Sequence, residues 1–219
     1  MSVIALCGLP GSGKTFYATY LMKQHYNKEN NIFKRLFFKK KIFNNVYTNY
    51  PVMLDRGHYS QSITLSDLNF NHSYKQDSDV VLDEIQSYYD SLEYKEFPKE
   101  NRQFFQFHRH FGIKDIFVVS QDPSRIPKQI RALCSEFYDI TRKICIPFLG
   151  VCFLRYNVYY KFEDYGKSVQ VKRNEVPYKF RKCYKFFRYK KVYKSYDTKY
   201  MSKLLNDKEL IKNKEFKNK

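Results

Sequence analysis

A chain of 219 residues can bury one sizeable core and a small extension, but not two full-sized domains. Its 40 Lys and Arg against 22 Asp and Glu leave a formal charge of +18, which points to a polyanionic partner such as nucleic acid or anionic lipid. The longest uncharged apolar run, residues 144–154, is interrupted by Pro147 and Gly150 and is about half the roughly 20 residues a spanning helix needs, so the chain is not expected to cross a bilayer by itself.

The charge is uneven: residues 151–219 hold twenty basic and seven acidic side chains, a net +13, and the first 150 residues contribute only +5. With 21 Tyr, 20 Phe and no Trp, the composition also fits the codon bias of an AT-rich genome, which would account for part of the basic excess without any partner. Five cysteines with no C-x-x-C pair suit neither a disulfide framework nor a zinc knuckle, and read as small core residues in a reducing compartment. No signal peptide is visible, because residues 2–8 run straight into a glycine loop.

Residues 3–7, VIALC, form a continuous apolar run ended by Gly8, the pattern of a strand buried on both faces of a parallel sheet. An amphipathic helix is predicted over 13–26, with Phe16, Tyr20 and Leu21 facing that sheet. The insertion 28–41 is basic and aromatic, net +5, and reads as an exposed helix or a basic loop. Residues 45–49 give a second short strand closed by Pro51, and 53–78 are polar and turn-rich. The strand 79–82 ends in Asp83 and Glu84. A helix over 98–111, a strand over 116–119, a short helix over 124–133 entered through Pro127, and a strand over 135–141 follow. Residues 144–162 read as a β-hairpin with Gly150 between its halves, and 169–171 as a further candidate strand. Residues 177–200 interleave Tyr and Phe with Lys and Arg, and 201–219 form a charged tail, helical or disordered. The division that results is an α/β domain over 1–142, a β-hairpin extension over 143–176 and a basic, aromatic tail over 177–219.

The chemistry is concentrated in Gly8-Leu9-Pro10-Gly11-Ser12-Gly13-Lys14-Thr15, which fits G-x-x-x-x-G-K-[ST], the P-loop pattern, between a buried strand and a helix. Glycines let backbone N–H groups converge on a phosphate without Cβ clashes, and the helix N-terminus adds its partial positive charge. Pro10 and Ser12 complete the loop, Lys14 reaches the β- and γ-phosphates of ATP, and the Thr15 hydroxyl is placed to ligate Mg²⁺. Asp83 and Glu84 leave the carboxyl end of an apolar strand, where ligands bind in open α/β sheets. Asp83 would hold Mg²⁺ through water, and Glu84 would polarise the attacking water. Gln121, just past the strand 116–119, is a candidate to position water at the γ-phosphate, its alternative being a loop glutamine in solvent.

Arg109, within His108-Arg109-His110, faces either a phosphate or an Asp, or merely complements the C-terminal dipole of its helix. The flanking histidines diverge at i and i+2 and do not make a metal site. Arg131 is the preferred arginine finger over Arg125, because Ile126, Ile130 and Leu133 would fix its helix. The stretch 178–196 mixes cations with rings, which suits single-stranded nucleic acid and equally suits an anionic membrane surface.

The ordered set GLPGSGKT, VYTN, VVLDE, FHRHFGIKDIFVVSQ and IPKQIRAL, within residues 1–142, resembles the zonular occludens toxin (Zot)-like P-loop ATPases, which include the assembly ATPase of filamentous bacteriophages. The resemblance implies an α/β fold, a three-layer P-loop NTPase sandwich around a mainly parallel sheet of the additional-strand type, here followed by a small β-rich and basic extension. It implies a motor-type, Mg²⁺-dependent ATP hydrolase that drives assembly, DNA packaging or extrusion of a single-stranded DNA virus. The implied partners are further copies of the chain, single-stranded DNA, coat protein and a membrane assembly partner at the host inner membrane. Lys14, Thr15, Asp83, Glu84 and Gln121 match the family's nucleotide-handling positions, and Arg109 falls in its H-R-H block.

Filamentous-phage members carry a transmembrane helix after the ATPase domain, whereas here only the run 144–154 and a basic tail follow. The expectation is a cytoplasmic protein, at most peripheral at the membrane, that docks on a membrane partner or serves a virus packaged in the cytoplasm. Two rival readings stand beside it: a small-molecule or nucleotide kinase using the same loop, and a non-catalytic scaffold that keeps nucleotide as a structural ligand.

Overall fold

Alternation along the first strand sets the layers. In β1 (Ser2–Cys7), Val3, Ala5 and Cys7 pack into one core while Leu6 packs into another on the opposite face, so the strand is enclosed from both sides. The computed structural model describes residues 2–29, 45–69, 71–89, 97–165, 180–188 and 190–197. The expectations for 30–41, 169–171 and 201–219 lie outside these residues.

The sheet has eight strands in the order β3-β2-β4-β5-β1-β6-β7-β8. They are β1, β2 (Val46–Thr48), β3 (Gln61–Ser62), β4 (Ser78–Leu82), β5 (Ile113–Val119), β6 (Cys134–Ile146), β7 (Val151–Tyr159) and β8 (Phe180–Arg188). Pairing is parallel from β3 to β6 and antiparallel from β6 to β8. Strand β5 lies between β1 and β4, so one extra strand separates the glycine loop from the Asp83-Glu84 strand, as the additional-strand class requires.

Helix α1 (Lys14–Glu29) covers one face with Phe16, Tyr17, Ala18, Met22 and Tyr26, and Tyr20 and Leu21 sit at its flank rather than at its centre. Its first turn holds no acidic residue, which leaves the positive end of the helix dipole for an anion. Helix α2 (Lys99–Phe107) covers the other face, burying Phe104 and Phe105 against Ile116 and Val118 of β5. Each such ring contributes roughly 1.5–3 kcal/mol by leaving water.

Differences from the sequence reading have local causes. The predicted helix 124–133 is a 3₁₀ turn (Pro123–Arg125) followed by the short α3 (Lys128–Arg131), because Pro127 removes a helical donor between them. The strands predicted separately at 135–141 and from 144 are one strand, β6, with an irregularity between Ile140 and Arg142. Cys145 and Cys152 form a disulfide across the β6–β7 pair rather than standing as isolated core thiols. Facing positions of an antiparallel ladder come within disulfide reach, here with Cα atoms 4.1 Å apart.

Candidate functional site

Gly8 ends β1 at φ +139°, where an added Cβ would lie 2.5 Å from the Ile140 carbonyl oxygen of β6. Gly13, at φ +101°, carries the Lys143 side chain in the space a Cβ would need, 2.9 Å from its Cδ. Both glycines are therefore demanded by backbone conformation and by the strand passing over the loop. Between them the loop closes on itself through the Ser12 N–H, which donates to the Leu9 carbonyl at 3.1 Å.

The Lys14 ammonium folds back over this loop and donates to the carbonyl oxygens of Gly8 at 2.9 Å and Leu9 at 3.1 Å. Burial lowers its pKa, and the Glu84 and Asp83 carboxylates oppose that shift. One residue on, the Thr15 hydroxyl donates to Asp83 Oδ2 at 2.9 Å. Burial pushes the Asp83 carboxyl up to about 7, partly offset by the Thr15 hydrogen bond. A hydroxyl and a buried carboxylate converging beside a Lys present hard oxygen donors, which fits Mg²⁺. Thr15 and Asp83 are the residues that would hold it.

Asp83 is positioned by a residue the sequence reading did not single out. The Asn49 side chain, one residue past β2, accepts from the Asp83 N–H and donates to the Asp83 carbonyl, both at 2.8 Å. The Asn closing VYTN was the available signal, since an amide is the side chain that can serve a backbone N–H and C=O together.

Glu84 adopts left-handed backbone at φ +50°, uncommon for a residue with a Cβ and typical of sites where a side chain must be aimed. Its carboxylate accepts from Gln86, and the Gln121 amide lies 3.4 and 3.5 Å from its two oxygens. Gln121 leaves the carboxyl end of β5, and Ser120 before it is tied to β1 through its N–H to the Leu6 carbonyl at 3.0 Å.

Lys14, Thr15, Asp83, Glu84 and Gln121 thus share one cavity of about 370 Å³ with Pro10, Gly11 and Gly13. Lys143, Phe16, Tyr50, Tyr193, Tyr196 and Asp197 complete its wall, and none of these was foreseen. Arg109 and Arg131 are not brought there. Arg109 sits in the turn before β5, at the opposite end of that strand from Gln121. Arg131 stacks on Phe162, 4.3 Å from the ring centroid, beside a second cavity that also includes Lys128 and Cys134. No helix among the described residues is long and apolar enough to cross a membrane.

The family model for zonular occludens toxin (Zot) matches residues 2–195, well beyond the stretch that carried the resemblance. No curated protein matches. Among solved structures, the N-terminal domain of zonular occludens toxin from Neisseria meningitidis is similar at 22% identity and TM-score 0.54, over 90% of this chain and 98% of that one. The genome packaging NTPase B204 of Sulfolobus turreted icosahedral virus 2, in complex with ATP-gammaS, aligns at 12% identity and TM-score 0.43 over 67% and 78% of the two chains. The flagellar accessory protein FlaH of Methanocaldococcus jannaschii aligns at 13% and 0.40 over 73% and 78%. With a P-loop sheet of the additional-strand order and a family match across nearly its whole length, this chain belongs to the zonular occludens toxin family and has the P-loop NTPase fold.

Proposed function

We propose that this chain is a Mg²⁺-dependent ATPase that powers DNA packaging or virion assembly for a single-stranded DNA virus. The observation that carries the hydrolytic part is the contact between the Thr15 hydroxyl and the Asp83 carboxylate beside Lys14, with Glu84 and Gln121 immediately beyond. In that arrangement the loop amides would hold the α- and β-phosphates, Lys14 would reach the β- and γ-phosphates, and Thr15 and Asp83 would hold the metal. Glu84 takes the proton of the attacking water, and Gln121 orients that water against Glu84. A Mg²⁺ ion held by Thr15 and Asp83 would supply charge neutralisation for the phosphates.

The nucleic-acid part of the reading draws support from the outer face of the antiparallel strands. There Phe153 stacks on Tyr184 with centroids 5.6 Å apart, Phe186 is exposed, Arg155 pairs across from Tyr184, and Lys182 and Arg188 flank the rings on the same face. Rings for bases and cations for phosphates on one flat surface suit a single strand. The motor reading also implies several copies of the chain, with Arg131 or Arg109 offered to a neighbour's nucleotide, since neither reaches its own.

The test is steady-state ATP hydrolysis with purified protein. Glu84→Gln should bind ATP as tightly as the wild type and turn over about 10²–10⁴-fold more slowly, the range for losing a general base. Lys14→Ala should lose both binding and turnover. Hydrolysis that survives Lys14→Ala unchanged would refute the site, and a phosphorylated small molecule among the products would favour a kinase.

A further inference from the structure

The glycine loop is overlain by a side chain that its motif does not contain. Lys143 belongs to β6, which pairs with β1 on the side opposite β5 and β4, so it approaches the loop from the flank away from Asp83 and Glu84. Its stem rests on Gly13, whose missing Cβ leaves the room it occupies. Its ammonium stands 5.5 Å from the Phe16 ring centroid and 5.3 Å from that of Tyr193, and donates to the Tyr193 hydroxyl at 3.4 Å. Two aromatic faces therefore box the cation at the start of α1.

Tyr193 is brought there by the last described segment of the chain. Helix α4 (Lys190–Tyr193) leads into a strap whose Ser195 carbonyl accepts from the Met53 N–H at 2.6 Å, and Tyr196 bridges to Val52 and packs edge-on against Tyr50. Val192 is buried in the core under α1. These anchors hold the Tyr193 ring in place without help from any ligand.

The electrostatics of this corner call for an anion. Lys143, Lys14 and the positive end of α1 line one cavity, and Lys143 and the helix end meet on the flank that carries neither Asp83 nor Glu84, which suits an anion there. Asp83 and Glu84 lie across the loop, and Asp197 also lines the cavity. Loop amides cradle the α- and β-phosphates, while Lys14 and Thr15 mark the γ-phosphate and metal end. Lys143 stands on the other flank, at Gly13 and Phe16, on the side of the loop away from Asp83 and Glu84.

We infer that Lys143 is a nucleotide-binding residue that takes the α-phosphate of the bound nucleotide, with Tyr193 as its positioning residue. The inference rests on the ATPase reading above. It adds two distant segments, β6 and the strap, to a nucleotide site already built from the loop and the ends of β4 and β5.

Equilibrium binding of ATP, ADP and AMP to the full chain tests it, using Lys143→Met, which keeps the stem and removes the charge, beside Lys143→Arg. The expected result is about a tenfold rise in Kd for Lys143→Met, by the same factor for all three nucleotides, with Lys143→Arg within about threefold of the wild type. KM for ATP should rise with kcat preserved, which a purely structural lysine would not produce. A Lys143→Met protein that binds all three as the wild type does would overturn the assignment, and so would a loss confined to ATP, which would place the ammonium at the γ-phosphate. Equal losses in the Met and Arg variants would reduce Lys143 to packing. A wild-type chain that binds no nucleotide sinks the ATPase reading and this inference together, whereas wild-type binding with an indifferent Lys143→Met sinks this inference alone.

Discussion

The two halves of the sheet use their residues in opposite ways. From β3 to β6 the strands are parallel, enclosed by helices on both faces, and contribute mainly backbone and a few polar side chains at their carboxyl ends. From β6 to β8 they are antiparallel and alternate: Cys152, Leu154 and Tyr156 turn in towards α1, and Phe153 and Arg155 turn out to solvent. The first half shapes its cavity with main-chain geometry, which permits few residue choices. The second presents side chains on a surface, which permits many. Strand β6 belongs to both, pairing with β1 at one end and carrying Lys143 and the hairpin at the other.

The largest expected effect tests whether the parallel half is the structural core. Phe104→Ala should lower unfolding stability by about 3–5 kcal/mol in denaturant titration, the cost of a large cavity in a packed interior. A drop under about 1 kcal/mol would mean that α2 is not integral to that core.

Asp139, opposite Cys7 at the junction of the halves, has its carboxyl pushed up to about 6 by burial, from an ordinary 3.8. A raised folded-state value means the native protein holds this proton more tightly than the unfolded chain, so stability falls as pH climbs from about 4 to about 6. Asp139→Asn should remove that slope and gain on the order of 1–3 kcal/mol at pH 7, with no gain below pH 4, readable as melting temperature against pH. Parallel pH profiles for variant and wild type would show that Asp139 is not strained by burial.

Asn49→Ala removes both contacts that aim Asp83, and should cost about tenfold in Mg²⁺-dependent turnover, roughly 1.4 kcal/mol, while ATP binding without metal stays put. Unchanged turnover would mean that β4 alone fixes the carboxylate. The smallest effects belong to the outer face. Phe186→Ala should weaken single-stranded DNA binding by about 1 kcal/mol, and Arg155→Gln should reduce the salt dependence of log Kd by about one. Affinity and salt slope untouched in both would leave that face without a nucleic-acid role.

What could be read from the sequence follows the same division. The glycine loop and the Asp83-Glu84 strand end were legible because backbone geometry admits so few residues there. Gln121 was legible because it follows a strand of the parallel sheet. The same logic, applied to Arg109, separates it from the site: a residue just before a parallel strand lies at the edge opposite one just after it. Lys143 and Tyr193 were invisible because they meet the loop only through pairing register and through a strap nearly the whole chain away. Strand β3, two residues long, carries no periodicity to find. The Cys145–Cys152 pairing depends on hairpin register, which a spacing of seven does not specify.

The backbone at Glu84 carries a further consequence. A glutamate in left-handed conformation gives up about a kilocalorie that glycine or asparagine would keep. Selection for endurance alone would have replaced it. Under the proposed role of Glu84, thermal robustness is surrendered to point one carboxylate, so Glu84→Asn should lose ATP turnover and be no easier to melt.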